Sequence, residues 1–236
     1  DNDTKDYWSA TWQPVGKSQE EYKSVCRHGT SYTIISSDYS DINTETSYYV
    51  PLGKTYEVWR CKVTNNSKKK RNLSTFVFVE FTNDSNYEQD QVNLQYTLFI
   101  SRTEFIKNKI IQHINEYENR DESGSNGLER FFGMVGADIN SYCGSLEKFI
   151  GSYRTYSNPI CVEEGDCKNQ TNYNSNSCGA LQSDITLEPG ETKELIYILG
   201  QKKPQEADEI LSSYEKSGVV DKEIEELKNY WHSKLN

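Results

Sequence analysis

Long apolar runs are missing from this chain. No stretch of about 18 consecutive apolar residues occurs, so no segment reads as a membrane-spanning helix. Apolar residues make up only 34% of the 236 positions, under the ~45–50% usual in globular domains even after allowing for the different residue sets counted. Lys and Arg are outnumbered 26 to 36 by Asp and Glu, leaving a net charge of −10. Nucleic-acid binders show clustered cations instead, so no nucleic-acid partner is expected, and no membrane partner either. The one basic run, KKKR at 68–71, lies between two strand-like segments and is expected to be a solvated hairpin turn. Histidine is scarce, at three. No C-x-x-C pair occurs and no His stands at zinc-ligand spacing beside a cysteine, which excludes the common zinc modules; no metal site is assigned.

The cysteines that are present are Cys26, Cys61, Cys143, Cys161, Cys167 and Cys178. They are read as reduced, mostly buried thiols of a cytoplasmic protein. A disulfide pair among Cys161, Cys167 and Cys178 is the alternative. Sequons such as Asn65-Asn66-Ser67 matter only in a secreted eukaryotic chain.

Aromatics compensate for the thin aliphatic content. They reach 12%, with 17 Tyr, and bring large buried area on stiff side chains. Most of the chain then reads as strands. SYTIISS at 31–37, TETSYYVPL at 44–52 and YEVWRCKVTN at 56–65 are rich in Tyr, Thr, Val and Ile. In the third, Trp59, Cys61 and Val63 alternate with Arg60, Lys62 and Thr64. LSTFVFVEF, at 73–81, is apolar on both faces, which calls for cover on both sides. One cover is the opposite sheet; the other is a long loop, a helix or a domain outside this chain. NKIIQHI, RFFGMVGADI, NPICVEE, GALQSDITL and KELIYILG are expected as later strands, with Pro189-Gly190 placed for a type II turn. ENRDESGSN, at 118–126, reads as a mobile loop tip. Many short strands separated by turns indicate an antiparallel sandwich.

At Gly200 the period changes. Pro204 can open a helix, Ala207, Ile210, Leu211 and Tyr214 form a stripe at helical spacing, and Gly218 is expected as its C-cap. Asp221 is the expected N-cap of a second helix carrying Ile224, Leu227, Trp231 and Leu235. That second stripe runs to the last residues, and Trp8 and Trp12 in DYWSATWQPV stand at the first ones. The expectation is therefore the middle portion of a longer polypeptide, with a β-sandwich at 1–200 and a helical linker at 201–236.

YWSATWQPV, CRHGTSYT, SYYVPLG, VTNNS, FVEF, NPICVEEGDCKN and LEPGETKELIYILG occur in that order. Together they resemble the amino-terminal domain of the inverting disaccharide phosphorylases, the relatives of cellobiose, laminaribiose, cellodextrin and chitobiose phosphorylase. The resemblance spans nearly the whole chain. It implies a mainly β fold: a large antiparallel β-sandwich of the supersandwich type, then two linker α-helices, with the catalytic (α/α)6 barrel absent from this chain. It also implies a homodimer that cleaves a β-linked glucose disaccharide or oligosaccharide with inorganic phosphate, giving an α-sugar 1-phosphate. Phosphate is a co-substrate, and no cofactor is implied. Trp8 and Trp12 are then rings packed on the sandwich or the barrel, or else sugar-stacking rings. Arg27-His28 is a buried structural contact or a phosphate cradle.

An inverting hydrolase needs one carboxylic acid and one carboxylate that activates water. Phosphate is already a charged nucleophile, so a phosphorylase needs one acid and a cationic, hydrogen-bonding pocket. The family's acid is an aspartate in the helical barrel, so no catalytic residue is assigned here and the isolated chain is expected to be inactive. Glu45, Glu80 and Glu104 are read as framework charges and His113 as structural. One polar stretch, FTNDSNYEQDQVNLQYTLF at 81–99, is long for a compact domain, as functional loops are. In the family the corresponding loop approaches the active site of the dimer partner. That implies substrate binding by Asn93, Gln95 and Tyr96; Tyr96 departs from the Arg of cellobiose-type members, which leaves the linkage open. A non-catalytic carbohydrate-binding or dimerisation sandwich is the alternative.

One outcome follows for the thiols. Titration of the denatured, unreduced protein, kept free of added oxidant, is expected to count six; a count of four or fewer indicates a disulfide.

Overall fold

The computed structural model describes residues 1–82, 92, 98–114 and 129–235. Its strands are β1 (Lys23–Gly29), β2 (Tyr32–Tyr39), β3 (Ile42–Tyr49), β4 (Tyr56–Asn65), β5 (Arg71–Glu80), β6 (Ser101–Ile106), β7 (Lys109–Ile114), β8 (Glu129–Val135), β9 (Ser141–Ser145), β10 (Ser177–Leu187) and β11 (Thr192–Lys202). Two short helices, α1 (Leu146–Ile150) and α2 (Ile160–Glu164), precede β10, and two longer ones, α3 (Pro204–Ser213) and α4 (Val219–Leu235), follow β11. The strands form an eight-stranded sheet, in the order β1-β2-β3-β4-β11-β8-β7-β6, and a three-stranded sheet, β5-β10-β9. Every paired strand is antiparallel. The expected sandwich with two trailing helices is what forms. The 118–126 stretch lies outside the described residues.

Alternation along the strands builds the layers. On β4, Cys61 and Val63 face the small sheet, as do Leu195 and Tyr197 on β11 and Phe132 and Met134 on β8. Their neighbours Val58, Ile196, Ile198, Phe131 and Val135 face the other way, into a second core with Ala207, Leu211, Ile224 and Leu227 of α3 and α4. The middle of the large sheet is therefore covered on both sides. The same parity holds in the small sheet. Leu73, Val77 and Val79 of β5 point into the sandwich, whereas Phe76 and Phe78 point outward. Their outer cover comes from this chain: Phe78 stacks on Phe149 of α1 at 4.8 Å between ring centroids.

Ion pairs with a buried cation fasten the helices. Arg60, whose face of β4 was read from sequence as polar, is 6% exposed and pairs with Asp221 of α4. Lys109 of β7 is 1% exposed and meets Asp208 of α3, which Lys107 also reaches at 2.7 Å. These cations hold both aspartates below the usual carboxylate range. Tyr49 and Tyr214 donate to Glu223 at 2.6 and 2.8 Å.

Several expectations are corrected. NPICVEE is the helix α2, not a strand: Pro159 sets its start with φ −63°, and Gly165, at φ 74°, closes it in the left-handed region. KKKR is not a hairpin turn, because β4 and β5 belong to different sheets. Lys68, Lys69 and Lys70 are exposed, but Arg71 is bound to the Asp1 carboxylate at 2.5 Å. The helix α3 ends at Ser213, before Gly218, and Asp221 lies in the first turn of α4, not at its cap. Arg27 and His28 are not buried; they are exposed on β1, the outermost strand. Strands β1 and β9 are not among those expected from the sequence.

Gly133 allows α3 to lie close to the sheet, since a Cβ there would stand 2.7 Å from Leu211 Cδ1. Leu211 itself is 1% exposed. Leu211→Ala is expected to lower the free energy of unfolding by about 2–5 kcal/mol in a denaturant titration, the usual cost of such a cavity. A change under about 0.5 kcal/mol would show that α3 is not part of the cooperative core.

Candidate functional site

The residues implied for substrate, Asn93, Gln95 and Tyr96, lie outside the described residues, so the structure does not place them. It does define the base from which their segment leaves and to which it returns. Strand β5 ends at Glu80, and the Phe81 N–H donates to the Ser177 carbonyl at 3.1 Å. Beyond it, Gln112 of β7 donates through Nε2 to the Thr82 carbonyl at 2.8 Å and to Ser101 Oγ at 2.9 Å. Thr82 precedes the segment 83–97, and Ser101 opens β6 after it. One buried amide, 1% exposed, therefore ties both stems.

The tie is itself fixed. Arg130 of β8 donates to Gln112 Oε1 at 2.9 Å and to the Thr82 carbonyl at 3.4 Å. The hydroxyls of Ser101 and Ser177 meet at 2.5 Å, and Asn172 Nδ2 donates to Ser177 Oγ at 2.9 Å. Sequence reasoning missed Gln112. Its only signal was a polar residue directly after the apolar pair Ile110-Ile111, and a buried amide persists there because its bonds are made.

Next to it, His113 is held between two carboxylates, with Nδ1 at 2.5 Å from Glu129 and Nε2 at 3.3 Å from Glu104. The Glu129 hydrogen bond pushes its pKa up, against the lowering effect of burial. The expected structural role fits this geometry, for His113 and Glu129 stand at the two ends of 115–128. Among the described residues, no group of three or more His, Cys, Asp or Glu side chains is placed to hold a metal ion.

A second feature lies within the sandwich. A cavity of about 410 Å³ is lined by Trp8, Tyr48, Trp59, Leu73, Val63 and Thr44, under the segment that opens the chain. The Trp8 ring lies 5.2 Å from that of Tyr39 and packs on the core between the sheets. Trp12 bonds through Nε1 to the Lys17 carbonyl at 2.7 Å. The Trp8 ring is packed on the sandwich, the structural alternative of the two considered for it.

The raised pKa of His113 gives a pH dependence. A group whose folded pKa lies above its unfolded value, ~6.5 for His, contributes its full stabilisation below the unfolded pKa. It loses that stabilisation as pH rises through the folded pKa. Urea unfolding at pH 5.5 and pH 9 is expected to show a smaller loss of stability across that window in His113→Gln than in the parent. Equal losses would remove His113 from the account.

Comparison with known proteins bears on the whole chain. A 35% identical relative, N,N'-diacetylchitobiose phosphorylase of Vibrio proteolyticus, aligns over 98% of this chain and 28% of its own length. The protein of the same name from Vibrio furnissii is 33% identical over the same shares. Solabiose phosphorylase of Paenibacillus borealis is 26% identical over 81% of this chain and 24% of its own length. The chain thus spans just over a quarter of the length of these relatives. The glycosyl hydrolase 94 supersandwich domain matches residues 1–217. With that match over an antiparallel sandwich of the expected kind, the chain belongs to the glycosyl hydrolase 94 supersandwich domain family.

Proposed function

We propose that this chain is the sandwich portion of an inverting disaccharide phosphorylase. The complete protein cleaves a β-linked glucose disaccharide or oligosaccharide, or its amino-sugar counterpart, with inorganic phosphate to give an α-sugar 1-phosphate. The observation that carries the reading is the agreement of family and relatives: the domain match covers residues 1–217, and both relatives above 30% identity are phosphorylases. The chain's own part is to hold a polar segment on a fixed base. The acid that protonates the leaving oxygen is supplied from outside this chain, and phosphate serves as nucleophile without a second carboxylate. The working form is a cytoplasmic homodimer in which the 83–97 segment of one subunit meets the sugar bound by the other. No cofactor takes part.

The test is an assay of the complete protein on cellobiose, laminaribiose and N,N'-diacetylchitobiose, with and without phosphate. Phosphate-dependent formation of the α-anomer of a sugar 1-phosphate from at least one of them is expected. Hydrolysis independent of phosphate, or no turnover of any, contradicts the reading.

Asn93 and Gln95 can each donate and accept, as sugar hydroxyls demand, and Tyr96 offers an aromatic face to a pyranose ring. Gln95→Ala in the complete enzyme is expected to lower kcat/KM for the preferred disaccharide by about 1–3 kcal/mol of transition-state stabilisation, the cost of an unpaired buried partner. The melting temperature should change little. An unchanged kcat/KM across the panel retires the substrate role of Gln95.

A further inference from the structure

The outer edge of the large sheet carries a nucleophile, a base and a group that orients the base. Strand β1 is the last strand of the eight-stranded sheet, and six of its seven residues are exposed. Alternation puts Cys26 and His28 on one face of it, two positions apart. Cys26 Sγ lies 3.4 Å from His28 Nε2, within the reach of a sulfur hydrogen bond. His28 Nδ1 lies 3.0 Å from Thr33 Oγ1 on the neighbouring strand β2. The antiparallel register sets this second contact, since His28 stands directly opposite Thr33.

The turn that joins the two strands is short. Gly29 pairs with Tyr32, so only Thr30 and Ser31 lie between them, with Ser31 in the left-handed region at φ 74°. The Tyr32 ring lies across Gly29, where a Cβ would stand 2.1 Å from Tyr32 Cζ. The pair next to this turn is His28 and Thr33. Thr33 Oγ1 can accept the Nδ1 proton of the imidazole, which leaves Nε2 free to accept from the thiol. Nucleophile, base and orienting group thus follow one another as in covalent catalysis. Of the six thiols in the chain only Cys26 is exposed; the other five are at most 9% exposed.

We propose that Cys26 is a modification site that exchanges with low-molecular-weight disulfides, with His28 as its general base and Thr33 as the residue that positions His28. An open strand edge has no pocket to hold a large substrate, but thiol–disulfide exchange asks only for access to the sulfur and a path for the proton. As the Cys26 sulfur attacks one sulfur of the disulfide, its proton passes to His28 Nε2. The S–S bond to Cys26 forms and the original S–S bond breaks. The departing thiolate takes the proton back from the imidazolium and leaves as a thiol. One disulfide replaces another, so no further oxidant is consumed. The product places a bulky group on the free edge of the sheet, where unpaired backbone groups otherwise invite another strand.

The experiment treats the complete protein with oxidised glutathione and locates the modified cysteines by peptide mapping without reductant. A glutathionyl group is expected on Cys26 ahead of Cys61, Cys143, Cys161, Cys167 and Cys178, and dithiothreitol should remove it. Rates at Cys26 are then compared at pH 7 and pH 10. His28→Ala is expected to slow the exchange at least about tenfold at pH 7, less than the ~10²–10⁴ of an enclosed general base because this pair is open to water. At pH 10 free thiols are largely ionised without help, and the difference should close. His28→Gln should behave as His28→Ala does, and Thr33→Val should show the same pH pattern with a smaller loss. An absent adduct at Cys26 contradicts the proposal, as does earlier modification of one of the five buried thiols. So does a His28→Ala variant that reacts at the parent rate at pH 7. A deficit undiminished at pH 10 also overturns it, because the substitution would then have changed access to the sulfur and not proton transfer.

Discussion

The structure depends on one constraint: the middle of the large sheet must be covered on both faces. Strands β11 and β8 carry large apolar side chains at successive positions, and a strand that is apolar on both sides cannot face water on either. The small sheet takes one face and the pair α3–α4 the other. Arg60 and Lys109 lie in the second layer and would be costly there as lone charges. Asp221 and Asp208 answer them from the helices, so the helices both bury apolar surface and pair the cations. Each pair joins a helix to a strand distant from it in sequence, Arg60 to Asp221 and Lys109 to Asp208.

Function enters at the β6–β7–β8 edge of this rigid assembly. Gln112 is buried in the frame, yet its amide reaches both stems of the segment carrying Asn93, Gln95 and Tyr96. A polar side chain in such a position fixes the two stems, at Thr82 and Ser101, to the same buried strand. His113 adds a second fixed point beside it, between Glu129 and Glu104. In the proposed phosphorylase this division of labour is reasonable: chemistry belongs to another domain, and positioning belongs to the sandwich.

How much was legible in the sequence depended on whether the information was local. Strand β4 could be read to its ends because its residues alternate and turn signals flank it. The cover over β5 could be inferred as a need, from Phe76 and Phe78, but not identified, since α1 and α2 come from residues far along the chain. Arg60 reads as a polar-face residue until a helix from 161 positions later supplies Asp221. The α2 segment shows the opposite failure. Ile160 and Val162 alternate as in a strand, while Pro159 and Gly165 bracket a helix, and the bracket decided the outcome. Strand β1, with its exposed Val25 and polar neighbours, has no apolar stripe to detect; pairing with β2 alone makes it a strand. Of the candidate site, the motif order led to the family and the long polar segment suggested the loop. Gln112 was not visible, because nothing in a linear sequence shows which two distant stems a buried amide will join.

The most direct measurement is hydrogen exchange on the complete protein, with and without its disaccharide and phosphate. The account predicts that amides of β4, β8 and β11 exchange slowly and at the same rate in both conditions, while new protection on substrate addition falls within 83–97. Protection that leaves 83–97 untouched, or a substrate-dependent change in β11 itself, would contradict a rigid, doubly covered frame that carries a substrate-contacting segment.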